Sequence, residues 1–180
     1  MKARILIALT MLALTACTRY NPTPRAGLPA EYTSVWQEIY GHCYDSIPYA
    51  VVALDFYSDE LSLDANHRMQ GSGYNLYLSD IFVPDSLLEA GSYRSDTTAQ
   101  PYTFLPGRDW EGTPSGMYLL KIEEGKLQSI QVLDSGTMVV RDTTNGLTDV
   151  QLTVYFKNVY GYKATYTTHF QGALRPWLKK

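Results

Sequence analysis

The chain has 180 residues, of which 45% are hydrophobic, 18% charged and 13% aromatic, with two cysteines and a formal net charge of −3. A chain this apolar and this sparsely charged is not disordered, two cysteines do not make a disulfide scaffold, and no collagen-like glycine period is present. The small acidic excess argues against nucleic acid as a partner, and the lack of a second long apolar run excludes a polytopic helical membrane protein.

Lys2 and Arg4 precede an apolar stretch at residues 5–14 (ILIALTMLAL). That is about half of the ~20 residues needed to span a bilayer as a helix, so residues 1–16 read as a signal peptide rather than an anchor. Leu14-Thr15-Ala16-Cys17 is similar to the lipobox of bacterial lipoproteins. The similarity implies cleavage before Cys17 and acylation of its sulfur; several acyl chains on one cysteine anchor a protein stably where one chain holds it only marginally. Loss of Lys2 and Arg4 makes the remaining chain more acidic. With Cys17 lipidated, Cys43 has no intramolecular disulfide partner in an oxidising compartment and reads as a small buried hydrophobe.

Residues 17–29 follow the lipidation site with prolines, a glycine and two arginines, a composition suited to a tether. Residues 30–180 read as a single β-domain. Its first element is an exception: Pro29 and Glu31, then Tyr32, Val35, Trp36, Ile39 and Tyr40 at three- and four-residue steps, predict one short amphipathic helix ended by Gly41.

From Tyr49 onward the period becomes two. Residues 50–57 (AVVALDFY) put Val52, Leu54 and Phe56 on one face and Val51, Ala53, Asp55 and Tyr57 on the other. Residues 60–63 suit a short partner, and residues 73–82 alternate again, with Tyr74, Leu76 and Leu78 opposite Asn75, Tyr77 and Ser79. Further strands are predicted at residues 91–94, 102–105, 117–123, 127–133 and 137–141, each bounded by Gly, Pro, Asp or Asn. The clearest are residues 150–157 and 163–171, a hairpin turning at Asn158-Val159-Tyr160-Gly161, joined to the preceding strand through Asn145-Gly146. Pro176 is expected to stop the last strand. The fold class is therefore all-β, an antiparallel β-sandwich or closed β-barrel of about 8–10 short strands with one N-terminal helix.

The chemistry-bearing residues are few. His42 and Cys43 are adjacent, so in an extended segment they face opposite ways and are poorly arranged for proton transfer. His169 reads as a solvated strand residue. Asp55, Asp59, Glu60, Asp64 and His67, with Asp80 and Asp85 one strand later, lack the ligand spacing of a calcium loop and read as charged loop tips. There is no GxSxG, HExxH, CxxC or phosphate-cradling glycine loop, so the reading is of a non-enzyme with no metal and no cofactor. The distinctive feature is 15 Tyr, 3 Trp and 5 Phe. Tyrosine and tryptophan suit stacking on sugar faces and protein interfaces. Residues 106–116 (PGRDWEGTPSG) form the best candidate loop, with Arg108, Asp109 and Trp110 at its centre. Tyr77, Tyr160 and Tyr162 are further ligand-binding candidates, and Tyr57 and Tyr155 share their position on the less apolar strand faces.

With the lipobox, the tether, and the phrases GYNLYLSDIFVP (residues 73–84), AGSYRSD (90–96), YTFLPG (102–107) and TYTTHFQGAL (165–174), the chain resembles the small β-rich envelope lipoproteins of Bacteroidota. That group is largely uncharacterised, so the resemblance implies an outer-membrane lipoprotein and brings no catalytic residues. Thr18, Arg19 and Tyr20 stand where surface-exported relatives of the group carry an acidic cluster, which implies the periplasmic face. The expected function is a lipid-anchored, non-enzymatic binding module for a glycan or envelope protein. The alternatives are a lipocalin-like carrier of an apolar ligand, with an interior cavity, and a hydrolase whose two carboxylates or Cys-His pair face one cleft.

Overall fold

The computed structural model describes residues 28–142, 146–157 and 161–178. The signal peptide, Cys17, the tether up to residue 27, Asn145 and the 158–160 turn lie outside the described residues.

The described chain is all-β. Its strands are β1 (Ser34–Gly41), β2 (Ala50–Tyr57), β3 (Leu61–Leu63), β4 (Met69–Gly71), β5 (Gly73–Val83), β6 (Gly91–Ser95), β7 (Thr103–Phe104), β8 (Arg108–Trp110), β9 (Thr113–Ser115), β10 (Met117–Glu123), β11 (Lys126–Val132), β12 (Ser135–Asp142), β13 (Thr148–Lys157), β14 (Lys163–Gly172) and β15 (Arg175–Leu178). The large sheet runs in the order β14-β13-β12-β6-β7-β5-β2-β1-β15, and two small hairpins, β3-β4 and β8-β9, stand apart from it. Strand β5 is the branch point: residues 73–78 pair with β10, which carries β11 beyond it, while Ile81 and Phe82 pair with β7.

The sheet curls into an open half-barrel. The segment before β1 reaches its far edge, where Glu31 and His169 of β14 form a parallel bridge. There the Tyr32 N–H donates to the His169 carbonyl at 2.9 Å and the His169 N–H donates to the Ala30 carbonyl at 3.1 Å. The inner face buries one cluster that draws Val35, Val52, Leu54, Phe56, Leu76, Leu78, Ile81, Tyr93, Phe104, Met138, Leu152, Val154 and Phe170 from eight strands. Each apolar side chain of this size adds about 1.5–3 kcal/mol when fully buried, so the inner cluster dominates the stability of the fold.

The period-2 reading of residues 50–57 places Val52, Leu54 and Phe56 inward as expected, yet all eight residues of β2 are buried. Both faces of this strand are covered, because a second cluster of Tyr57, Leu61 and Ile122, with Trp36, Leu63, Met69 and Leu120 packed on it, sits on the outer face.

The N-terminal helix is not seen: Ser34–Gly41 is strand β1, antiparallel to β2 and parallel to β15. The apolar positions Val35, Trp36, Ile39 and Tyr40 fit both periods, because β1 buries residues on both faces and so shows no polar stripe to separate a helix from a strand. Their β-branched and aromatic side chains favour the strand. Pro176 does not stop the last strand but lies inside β15, a short strand at the end of the sheet, where a missing N–H is tolerated. The expected loop at residues 106–116 folds into the β8-β9 hairpin. Two glycines allow its base to form. A Cβ on Gly107 would lie 2.1 Å from the Met117 carbonyl oxygen and 2.6 Å from that of Leu133, while Gly116 sits at φ +71 against the Pro106 carbonyl. Cys43 is exposed rather than buried, in the turn between β1 and β2.

Candidate functional site

Along β1 the outward residues are Trp36, Glu38 and Tyr40; in register with them, β2 presents Ala53 and Asp55, β5 presents Asn75 and Tyr77, and β10 presents Tyr118 and Leu120. The strand alternation therefore gathers two carboxylates and a set of tyrosines on one outer face. Glu38 is 4% and Asp55 7% exposed. Burying a carboxylate is costly unless donors satisfy its oxygens. Here the donors are neighbouring hydroxyls and an amide. Tyr40 donates to Glu38 Oε2 at 2.5 Å and Tyr77 donates to the same oxygen at 3.0 Å. Tyr57 donates to one oxygen of Asp55 and the Asn75 amide to the other. The Tyr77 and Tyr118 rings pack at 5.1 Å. Burial, with Asp55 beside it, pushes the Tyr57 hydroxyl far above its ordinary value, and burial with the Tyr40 hydrogen bond does the same to Tyr77. A hydrolase's acid and nucleophile must reach the scissile bond. This pair is instead covered and hydrogen-bonded, which makes it an internal anchor of the outer layer.

Beyond that anchor the same face turns aromatic and cationic. Strand β15 sets Arg175 beside Trp36 and Trp177 beside Glu38. The β3-β4 hairpin folds its tip over them. Asp64 shapes that tip by accepting from the backbone N–H groups of Asn66 at 2.8 Å and Arg68 at 2.9 Å. These hydrogen bonds, the Arg68 one foremost, hold the Asp64 carboxyl below its ordinary value. His67, at φ +58, lies at the tip, a left-handed position that histidine adopts more readily than most residues. Its ring stacks on Trp177 with centroids 4.5 Å apart and planes 13° apart. Trp36 meets His67 edge-on at 6.1 Å and Trp177 at 6.4 Å, and the Arg175 guanidinium lies 5.7 Å above the Trp36 ring. Trp36 and Trp177 are half-buried, while His67, Arg68 and Arg175 are exposed. Among the described residues, neither Arg68 nor Arg175 is in an ion pair. The result is a half-buried pair of indoles capped by two exposed basic side chains, His67 stacked on Trp177 and Arg175 over Trp36.

The residues singled out from the sequence fall elsewhere. Arg108, Asp109 and Trp110 stand together on β8, with Trp110 74% exposed and Asp109 accepting from the Gly112 N–H at 2.8 Å to close the hairpin turn. Tyr77 belongs to the buried hydroxyl anchor, and Tyr57, expected on a partly exposed face, is 2% exposed within it. Tyr155 and Tyr162 are exposed on or beside the β13-β14 hairpin. Tyr160 and Cys17 lie outside the described residues. His169 is half-buried and contacts Asp149 at 3.0 Å.

The platform went unnoticed in the sequence because its parts are scattered. Trp36 read as a helix residue, His67 as part of an acidic loop and Trp177 as tail. Only the parallel pairing of β1 with β15, which no local pattern signals, unites them.

Fold and face together define an all-β domain with an aromatic, basic platform on its outer surface. No protein-family model matches the chain, and no curated protein or solved structure matches it.

Proposed function

We propose that the chain is a lipid-anchored β-domain of the bacterial envelope, a non-enzymatic binding module that takes a glycan on the Trp36–Trp177 platform. The observation that carries this reading is the convergence of two tryptophans, 141 positions apart in sequence, onto one face, beside an exposed arginine and histidine. The lipobox at Cys17 supports the anchor, the resemblance to Bacteroidota envelope lipoproteins supports the outer membrane, and the residues after Cys17 support its periplasmic face. The Glu31–His169 bridge supports reading the curled sheet as a barrel that closes on itself.

A glycan array probed with the full chain in detergent tests the binding. Specific saccharide signals are expected, lost in Trp36→Ala/Trp177→Ala; signals that persist in that variant would refute the platform. Binding to an envelope protein with no saccharide signal would favour the protein-partner alternative. Labelling with a palmitate analogue tests the anchor, with incorporation expected in the wild type and abolished in Cys17→Ser.

One observation favours the lipocalin-like carrier. Gln37, 5% exposed and facing inward on β1, has an amide nitrogen with no hydrogen-bond partner among the described residues, as though awaiting an acceptor. A small amphiphile released on denaturing the purified protein, and missing from Gln37→Leu, would support that reading.

A further inference from the structure

We propose that the ligand of the platform is an anionic saccharide that packs against the aromatic cluster and sets its carboxylate or sulfate on Arg175; this rests on the platform being the glycan site. The argument is one of charge placement. The chain as a whole is acidic, with a formal net charge of −3. At the platform Arg175 is exposed over the Trp36 ring with no ion pair among the described residues, whereas the Arg68 charge acts on the Asp64 carboxylate of its own turn. The carboxylates of the same region have hydrogen-bond partners other than Arg175. Glu38 and Asp55 are buried and accept from Tyr40, Tyr77, Tyr57 and Asn75, and Asp64 accepts from the backbone of its own turn.

The placement of Arg175 adds a geometric reason. A guanidinium laid over an aromatic face keeps its N–H edge free, and stacking restrains the side chain before any ligand arrives. That pre-organised fork matches the paired oxygens of a carboxylate or sulfate better than a mobile lysine does. An exposed arginine whose guanidinium lies 5.7 Å over the Trp36 ring, with no ion pair among the described residues, is thus a ready anion receptor beside the aromatic cluster. Neutral sugars would leave this receptor unused.

The test is a thermophoresis titration of the full chain in detergent with three probes: oligogalacturonate (carboxylate), sulfated dextran (sulfate) and neutral xylohexaose. Tighter binding of either anionic probe than of xylohexaose is expected, and their ratio identifies the preferred anion. Arg175→Gln should weaken the anionic probe about tenfold, the worth of one charge-assisted hydrogen bond. Arg141→Gln, at an exposed arginine paired with Asp149 on β13, should leave binding unchanged. Arg175 is exposed, so its replacement leaves the fold intact, and circular dichroism checks this. Equal binding of all three probes, or an Arg175→Gln variant of wild-type affinity, would overturn the inference while leaving the glycan reading standing. Failure of every saccharide would overturn both.

Discussion

Replacing Tyr57 by Phe probes the outer layer with the least disturbance of shape. The ring stays packed on Leu61 and Ile122, and only the hydroxyl that donates to Asp55 is lost. Asp55, at 7% exposure, then keeps the Asn75 amide as a donor but loses the hydroxyl donor on its other oxygen. Leaving a buried acceptor unsatisfied costs about 1–3 kcal/mol, and a charged one lies at the upper end. Against a domain stability of roughly 5–15 kcal/mol, that is a visible fraction. For a domain of this size it corresponds to a fall in Tm of about 4–8 °C at 2 kcal/mol. Urea unfolding followed by tryptophan fluorescence should show the midpoint move down with an unchanged slope. Tyr155→Phe, at a 41% exposed position, is the control and should fall within about 0.5 kcal/mol of wild type. In a double-mutant cycle, Asp55→Leu should cost less in the Tyr57→Phe background than alone, with a coupling of about 0.5–3 kcal/mol. A Tyr57→Phe cost below 0.5 kcal/mol, or zero coupling, would refute the claim that this hydroxyl holds the carboxylate in place.

Gly107→Ala should destabilise by more than 1 kcal/mol in the same assay, because its Cβ would meet two backbone carbonyls at 2.1 and 2.6 Å that cannot swing aside. Asp64→Ala should loosen the turn that presents His67 and weaken saccharide binding several-fold, with little change in global Tm. The Asp64 carboxyl titrates below its ordinary value when folded, so its contribution is fully present above about pH 4 and is lost as pH falls through the depressed folded value. Binding should therefore hold to pH 5, and a loss between pH 5 and 7 would contradict that sign. At the alkaline end, burial raises Tyr32, Tyr57 and Tyr77, and pushes Tyr93 up to about 12. These hydroxyls stabilise the fold fully below the unfolded tyrosine value near pH 10 and progressively less above it. Absorbance at 295 nm should show a late group of tyrosines ionising together with unfolding, and a single ordinary titration of all tyrosines would contradict their burial.

The fold was legible wherever one face of a strand differs from the other. The alternations at residues 50–57, 73–82, 150–157 and 163–171 give β2, β5, β13 and β14 with the expected inward faces. Legibility failed at Ser34–Gly41 because Val35, Trp36, Ile39 and Tyr40 fall at steps that suit a helix as well as a two-sided strand, whereas β2, covered on both faces too, is a near-continuous apolar run. It failed again for β15, a four-residue strand held by a parallel partner far away in sequence. The platform inherits both failures. Trp36 lies on the misread strand and Trp177 on the unread one, while Trp110 stood out because turn residues surround it. Aromatic content is the sequence feature from which the proposed platform is built, but single-sequence periodicity could not say which aromatics converge.

The most direct test of the platform is calorimetric titration of the strongest array saccharide into the full chain, comparing Trp177→Ala with Trp110→Ala. Loss of the central indole should weaken binding at least about tenfold. Removal of the solitary, 74% exposed Trp110 should leave the affinity unchanged. Wild-type affinity in Trp177→Ala together with loss in Trp110→Ala would move the site to the β8-β9 hairpin and contradict the account.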